Sequence, residues 1–255
     1  MNLSIKGNEK LKKVLDRINK NVRLNTLWEC SNTTTVRRMG YSDHGPVHVT
    51  IVANIALKLL RNLLDAKVVP NIVKDYSMKN EDAEIIVVLG SVLHDIGNSI
   101  HRHEHEMGSV ILANPLIFEL INGLYNEKEK TIIASEVLNT IICHDKEVET
   151  LTIESGVVKL ADALDMKEGR ARIPFNLGKQ DIYAVSAMAI DDVIISSTKE
   201  KPIAIEIVMN NSAGIFQVDY LLKNKLKNSL IEKYVSVTAE VKNKSEKKIL
   251  TKYEI

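Results

Sequence analysis

Residues 81–106, EDAEIIVVLGSVLHDIGNSIHRHEHE, pass from an acidic start through a nearly continuous apolar run into a segment dense in histidine. The length of 81–94 predicts a buried helix rather than a strand, although its isoleucines and valines suit either. At its end His94 and Asp95 are adjacent, and the chain turns through Gly97. Positions 93–106 hold four of the chain's seven histidines, so a metal site, a pH switch and a merely polar loop must be weighed against one another.

Working outward, apolar positions at three- to four-residue intervals predict helices over 8–30 (Leu11, Leu15, Ile18, Val22) and from Val47 to about Asp65, with His48 in the first turn. Residues 31–46 read as connecting structure or a short interrupted helix. Further helices are expected over 104–113, 116–125, 128–144 and 153–168, the first two parted by Asn114-Pro115. The texture then changes. From Asp181 onward β-rich runs, IAIEIVM (203–209) and YVSVTAEV (234–241), flank one amphipathic helix over 215–233. The fold expected is mainly α, an all-helical core over 1–175 followed by a smaller α+β unit over 176–255.

Composition narrows the functional classes. With 45% hydrophobic and 26% charged residues over 255 positions, the chain can bury a substantial core. A net charge of +1 gives no global field toward nucleic acid or membrane. Cys30 and Cys143 form no CxxC pair, which argues against a disulfide framework and a thiolate zinc site and fits a cytoplasmic protein. No stretch reads as a signal peptide or a bilayer span.

All seven histidines, His44, His48, His94, His101, His103, His105 and His144, fall in the helical part. His44 and His48 are four apart, as are His101 and His105, a spacing that brings two imidazoles to one helix face. A mixed histidine and aspartate set without cysteine suits a catalytic transition-metal site better than a closed structural one. A lone histidine on a helix face is seldom a ligand; the combination carries the argument.

The order His48, then His94-Asp95, then Asp162 inside VVKLADALDM resembles the HD superfamily of metal-dependent phosphohydrolases, with HVTIVANIA, VLHDIG and KLADALD fitting its local contexts over roughly 41–170. The resemblance implies His48, His94, Asp95 and Asp162 as ligands of one ion. It also nominates His105 and His144, with His101 next, for a second ion bridged by Asp95, and leaves His103 out. The cofactor implied is one or two divalent transition ions, Mn, Fe, Zn, Ni or Co, with Mg admissible; two fit the number of histidines better. By a second likeness, to cyclic-nucleotide phosphodiesterases, His44 occupies the place of a general acid, with a helix-capping or outer-shell role as the alternative. The glycine-rich GYP signature of the cyclic di-GMP branch is absent.

The implied activity is hydrolysis of a phosphomonoester or phosphodiester, the substrate a small molecule of the nucleotide class, with Asp95 and His44 at the chemistry. Arg102, Arg170 and Arg172 are candidate phosphate ligands because guanidinium offers planar, paired donors; Arg37 and Arg38 read as solvated charges. Bound metal would keep the imidazoles from acting as a pH switch. The lysines of LLKNKLKNS and VKNKSEKK read as a solvated face. A homodimer through the C-terminal strands is conceivable; membrane and nucleic-acid partners are not expected. Two alternatives stay open: an enzyme acting on nucleic-acid ends, and a non-catalytic metal-dependent binding module.

Overall fold

The computed structural model of the chain describes residues 1–167, 182–242 and 252–254, the last by backbone alone. The first part is helical: α1 (Glu9–Lys20), α2 (Val22–Asn32), α3 (Pro46–Asp65), α4 (Asn71–Tyr76), α5 (Asn80–Leu93), α6 (His105–Leu120), α7 (Glu127–Cys143) and α8 (Ile153–Ala163). Helix α5 is the centre of the bundle. Every residue from Asp82 to Leu93 is buried, with α3, α7 and α8 packed around it. Each of its sealed isoleucine, leucine and valine side chains contributes roughly 1.5–3 kcal/mol relative to exposure.

Helix boundaries differ from the sequence expectation at Asn21 and at Asn114-Pro115. The helix expected over 8–30 breaks at Asn21, whose backbone is extended and whose side chain accepts from the Leu24 N–H, starting a new helix. Val22 consequently stands exposed rather than in the apolar stripe. Helix α6 runs straight through Asn114-Pro115. The bond that Pro115 cannot donate falls on the carbonyl of Ile111, an exposed residue, so the loss is tolerated.

Helix α3 also corrects the expectation about spans. Its 20 residues contain an 18-residue window that is long and apolar enough to cross a bilayer by length and composition. More than half of that window is buried inside the protein, against α5 and α8, which makes α3 a core helix.

The C-terminal part comprises α9 (Ile182–Ala187), β1 (Ile190–Ser196), β2 (Ile203–Met209), α10 (Lys223–Lys227), β3 (Val235–Val241) and β4 (Lys252–Glu254). The sheet has the order β1-β2-β3-β4; β2 and β3 are parallel and the outer pairs antiparallel. Sequence alternation located β2 and β3 closely: buried and half-buried positions alternate along both strands, except that Val208 near the end of β2 is buried as well. The single helix expected over 215–233 is instead a π-type turn at Gln217–Leu222 leading into α10. It stops at Asn228, whose carbonyl accepts from the Thr150 N–H and whose side-chain amide donates to the Lys146 carbonyl. Tertiary hydrogen bonds end the helix there and tie the C-terminal part to the α7–α8 connection. The expected boundary at 175 lies outside the described residues.

Candidate metal centre

The ends of five helices, α3, α5, α6, α7 and α8, and the turn after α5 converge on one cluster of side chains. Asp43 caps the start of α3, its Oδ1 accepting from the N–H groups of Gly45 and His48 at 3.1 Å each, which fixes His48 in the first turn. His94 ends α5, and Asp95 follows in the turn to the short 3₁₀ segment Ile96–Ser99. Helix α2 backs this turn, Trp28 Nε1 donating to the Val92 carbonyl and Ser31 Oγ to that of Asp95. Helix α6 crosses so close to Gly97 that a Cβ there would lie 2.0 Å from the His105 carbonyl oxygen. Ser109 locks this approach by donating to the His94 carbonyl and accepting from the Gly97 N–H. Position 97 therefore needs glycine, and the close crossing delivers His105 to Asp95.

The imidazoles share one orientation. His48 Nδ1–H donates to Asp165 (2.6 Å), His94 Nδ1–H to the Ser91 carbonyl (2.8 Å), and His144 Nδ1–H to the Ile141 carbonyl (2.5 Å). His105 Nδ1 pairs with Glu106 at 2.9 Å, and His44 Nδ1–H donates to the Ser42 carbonyl at 2.7 Å. Holding each Nδ1 in this way turns the Nε2 of the four inner rings toward the common cavity, as metal-binding histidines require.

Asp95 lies between two imidazole pairs. Its Oδ2 is 3.2 Å from His48 Nε2 and 3.1 Å from His94 Nε2. Its Oδ1 is 3.2 Å from His105 Nε2 and 3.9 Å from His144 Nε2. Asp162 Oδ1 completes the first set at 3.3 Å from His48 and 3.7 Å from His94. Within each pair the Nε2 atoms face each other, at 3.3 Å for His48 and His94 and 3.2 Å for His105 and His144. Ligands at about 2.0–2.1 Å from one ion in tetrahedral or octahedral array stand roughly 2.9–3.4 Å apart, so the first set fits a transition ion except for the wider gap between Asp162 and His94. The second is looser at His144.

The electrostatics point the same way. Burial pushes the His94 imidazole down, but Asp95 and Asp162 outweigh it and hold it at about 9. Burial would raise the Asp95 carboxyl; the charges of His94 and His44 and hydrogen bonds from His105 and His48 keep it well below the usual range. Asp162 is lowered against burial by Lys225, His48 and His94. Burial and repulsion from His94 and His105 drive His144 down to about 3. The sealed Asp95 and the largely buried Asp162 thus draw positive charge into the cavity, and a proton on His94 or a bound cation supplies it.

The structure brings His48, His94, Asp95, Asp162, His105 and His144 together. It does not bring His101. That residue is exposed in the turn before α6, its Nδ1 accepting from the His103 N–H; 101–104 is not helical, so the expected pairing with His105 does not form. His44 lies outside α3, yet its ring centroid is 5.6 Å from that of His48. Arg102 reaches the second pair, its Nη1 donating to His105 Nε2 at 3.0 Å and to Asn98 Oδ1 at 3.2 Å. An ion at His105 requires Arg102 to release that lone pair. Arg170 and Arg172 lie outside the described residues. Three participants were not anticipated: Asp165, Glu106 and Lys225, the last donating to Asp162 Oδ2. Asp165 stands one helical turn after Asp162, and Glu106 adjoins His105, so both had a signal of spacing. Lys225 had none.

The model of the HD domain matches residues 47–167, which contain every one of these ligands. The chain carries an HD domain over these residues. This HD-domain chain is also 43% identical over 230 residues to the uncharacterized protein MJ1020 of Methanocaldococcus jannaschii, covering 90% of this chain and 89% of that relative. No solved structure matches it. An HD domain points to the superfamily of metal-dependent phosphohydrolases, and the histidine and aspartate groups are able to hold divalent metal.

Proposed function

We propose that the protein hydrolyses the phosphate ester of a small molecule of the nucleotide class, using two divalent transition ions held by His48, His94, Asp95 and Asp162 and by Asp95, His105 and His144. The observation that carries this reading is the placing of Asp95, one oxygen toward each imidazole pair. A divalent ion in such a set supplies charge to polarise the phosphoryl group and to acidify water. The chain's own residues do the rest. Asp165 and the Ser91 and Ile141 carbonyls keep the ligand nitrogens unprotonated on the cavity side. His44 has its Nδ1–H committed to Ser42, so a proton given to the leaving oxygen comes from Nε2. Arg102 offers its guanidinium to the phosphate at the second pair.

The test is metal analysis followed by a panel of phosphate esters, comprising nitrophenyl mono- and diesters, nucleoside mono-, di-, tri- and cyclic phosphates, and a single-stranded oligonucleotide. Each is assayed with Mn, Fe, Co, Ni and Zn in turn. Turnover that tracks two bound equivalents and falls roughly a thousandfold in Asp95→Ala supports the reading. Full metal occupancy without turnover of any ester overturns it in favour of a binding module; turnover of the oligonucleotide alone moves the substrate to nucleic acid.

A further inference from the structure

The cluster meets solvent unevenly. The His48 and His94 side chains are fully sealed, and those of Asp95 and His144 are 4% exposed. Exposure rises at two places: at Arg102, 35%, beside the second imidazole pair, and at Asp162 and Lys225, 13% and 16%, beside the first. Among the described residues, Lys225 and Asp162 therefore form the more open edge of the first pair.

Lys225 is carried by α10, which packs on α8, and lies beyond the 47–167 matched by the HD-domain model. Its Nζ donates to Asp162 Oδ2, while Asp162 Oδ1 is turned toward His48 and His94. Among the described residues Asp162 is its only hydrogen-bond partner, so two of the three ammonium N–H groups are uncommitted. Orienting a carboxylate would need only a neutral donor. The ammonium instead adds a positive charge beside the one a divalent ion would bring to Asp162 Oδ1, so a phosphate oxygen lying against both would be attracted by each.

We infer that Lys225 is a phosphate-binding residue of this site, its two remaining N–H groups taking a non-bridging oxygen of the substrate phosphate on the Asp162 side, across the cavity from Arg102. The inference rests on the proposed metal-dependent reading and gives the C-terminal part a role in completing the site. The lysine-rich LLKNKLKNS segment is then not solely a solvated face: one of its lysines points inward.

The test needs no turnover. Inorganic phosphate is titrated calorimetrically into the Mn-loaded wild-type protein and into Lys225→Met and Lys225→Arg, with bound Mn measured in each. The expected result is unchanged Mn content, phosphate affinity lowered roughly tenfold or more in Lys225→Met, and affinity within a few-fold of wild type in Lys225→Arg. Equal phosphate affinity in wild type and Lys225→Met overturns the inference, as does a wild-type protein that binds no phosphate. Loss of Mn in Lys225→Met, with phosphate affinity restored once Mn is saturating, also overturns it, because Lys225 then only orients Asp162. If phosphate binding depends on Lys225 while no ester is turned over, the hydrolase reading fails and this inference stands.

Discussion

At the scale of single residues, the second layer around the ligands decides what the first can do. His48 offers Nε2 to the cavity because Asp165 holds its other nitrogen at 2.6 Å, in a pocket where the imidazole is fully sealed. Replacing that carboxylate by an amide leaves the shape intact and removes the charge that makes the imidazole a strong donor. Asp165→Asn is therefore expected to weaken the first ion's affinity roughly 10- to 100-fold, read by competition with a metallochromic chelator, and to leave the second ion's affinity within a few-fold. Equal affinities in variant and wild type would remove Asp165 from the site. The same scale explains which histidines matter. His101 and His105 share the nominal spacing of a helix face, but only His105 lies in a helix, so only one of them arrives at Asp95.

At the scale of elements, the site depends on how closely α6 crosses the turn after α5. Gly97 permits the backbone of one to touch the backbone of the other, and neither contact can rotate away as a side chain would. In Gly97→Ala the new methyl must push α6 outward, costing about 3 kcal/mol. The thermal midpoint then falls by roughly 6–12 °C for a chain of this size. Because His105 begins α6 while His48 and His94 belong to α3 and α5, the second ion should be lost before the first. A wild-type midpoint and two retained equivalents of metal in Gly97→Ala would show that α6 does not make this approach.

At the scale of the whole molecule, the α7–α8 connection joins the bundle to the C-terminal part, and Lys159 holds it from below. This lysine is completely buried, donating to the carbonyls of Asp145 (2.7 Å) and Val148 (2.5 Å), just beyond His144. Burial, reinforced by repulsion from Lys225, lowers its ammonium from 10.5 to about 8. The unfolded chain keeps that proton up to its ordinary value and the folded chain releases it earlier. Between those two values the unfolded state binds more protons, so this residue's contribution makes stability rise with pH. Denaturant unfolding of wild type and Lys159→Met, followed from pH 7.5 to 10.5, should show wild type gaining on the variant across that window; parallel curves would refute the assignment.

The sequence by itself determined the helical core, the two central strands β2 and β3, and six of the residues that meet at the candidate centre. Apolar periodicity is a local property, and the His-Asp doublet with its flanking contexts is local as well, so both are legible along the chain. Only the tertiary structure decided that Asn21 ends a helix and Pro115 does not, that His101 stays in solvent, and that α3 is a core helix despite a composition that would suit a membrane. It also decided that Lys225, 63 positions from Asp162, is the cation at its side. These depend on what a residue meets across space. A lysine in a polar helix carries the same local signal whether it faces water or a buried carboxylate, and the difference is set by the packing of α10 on α8.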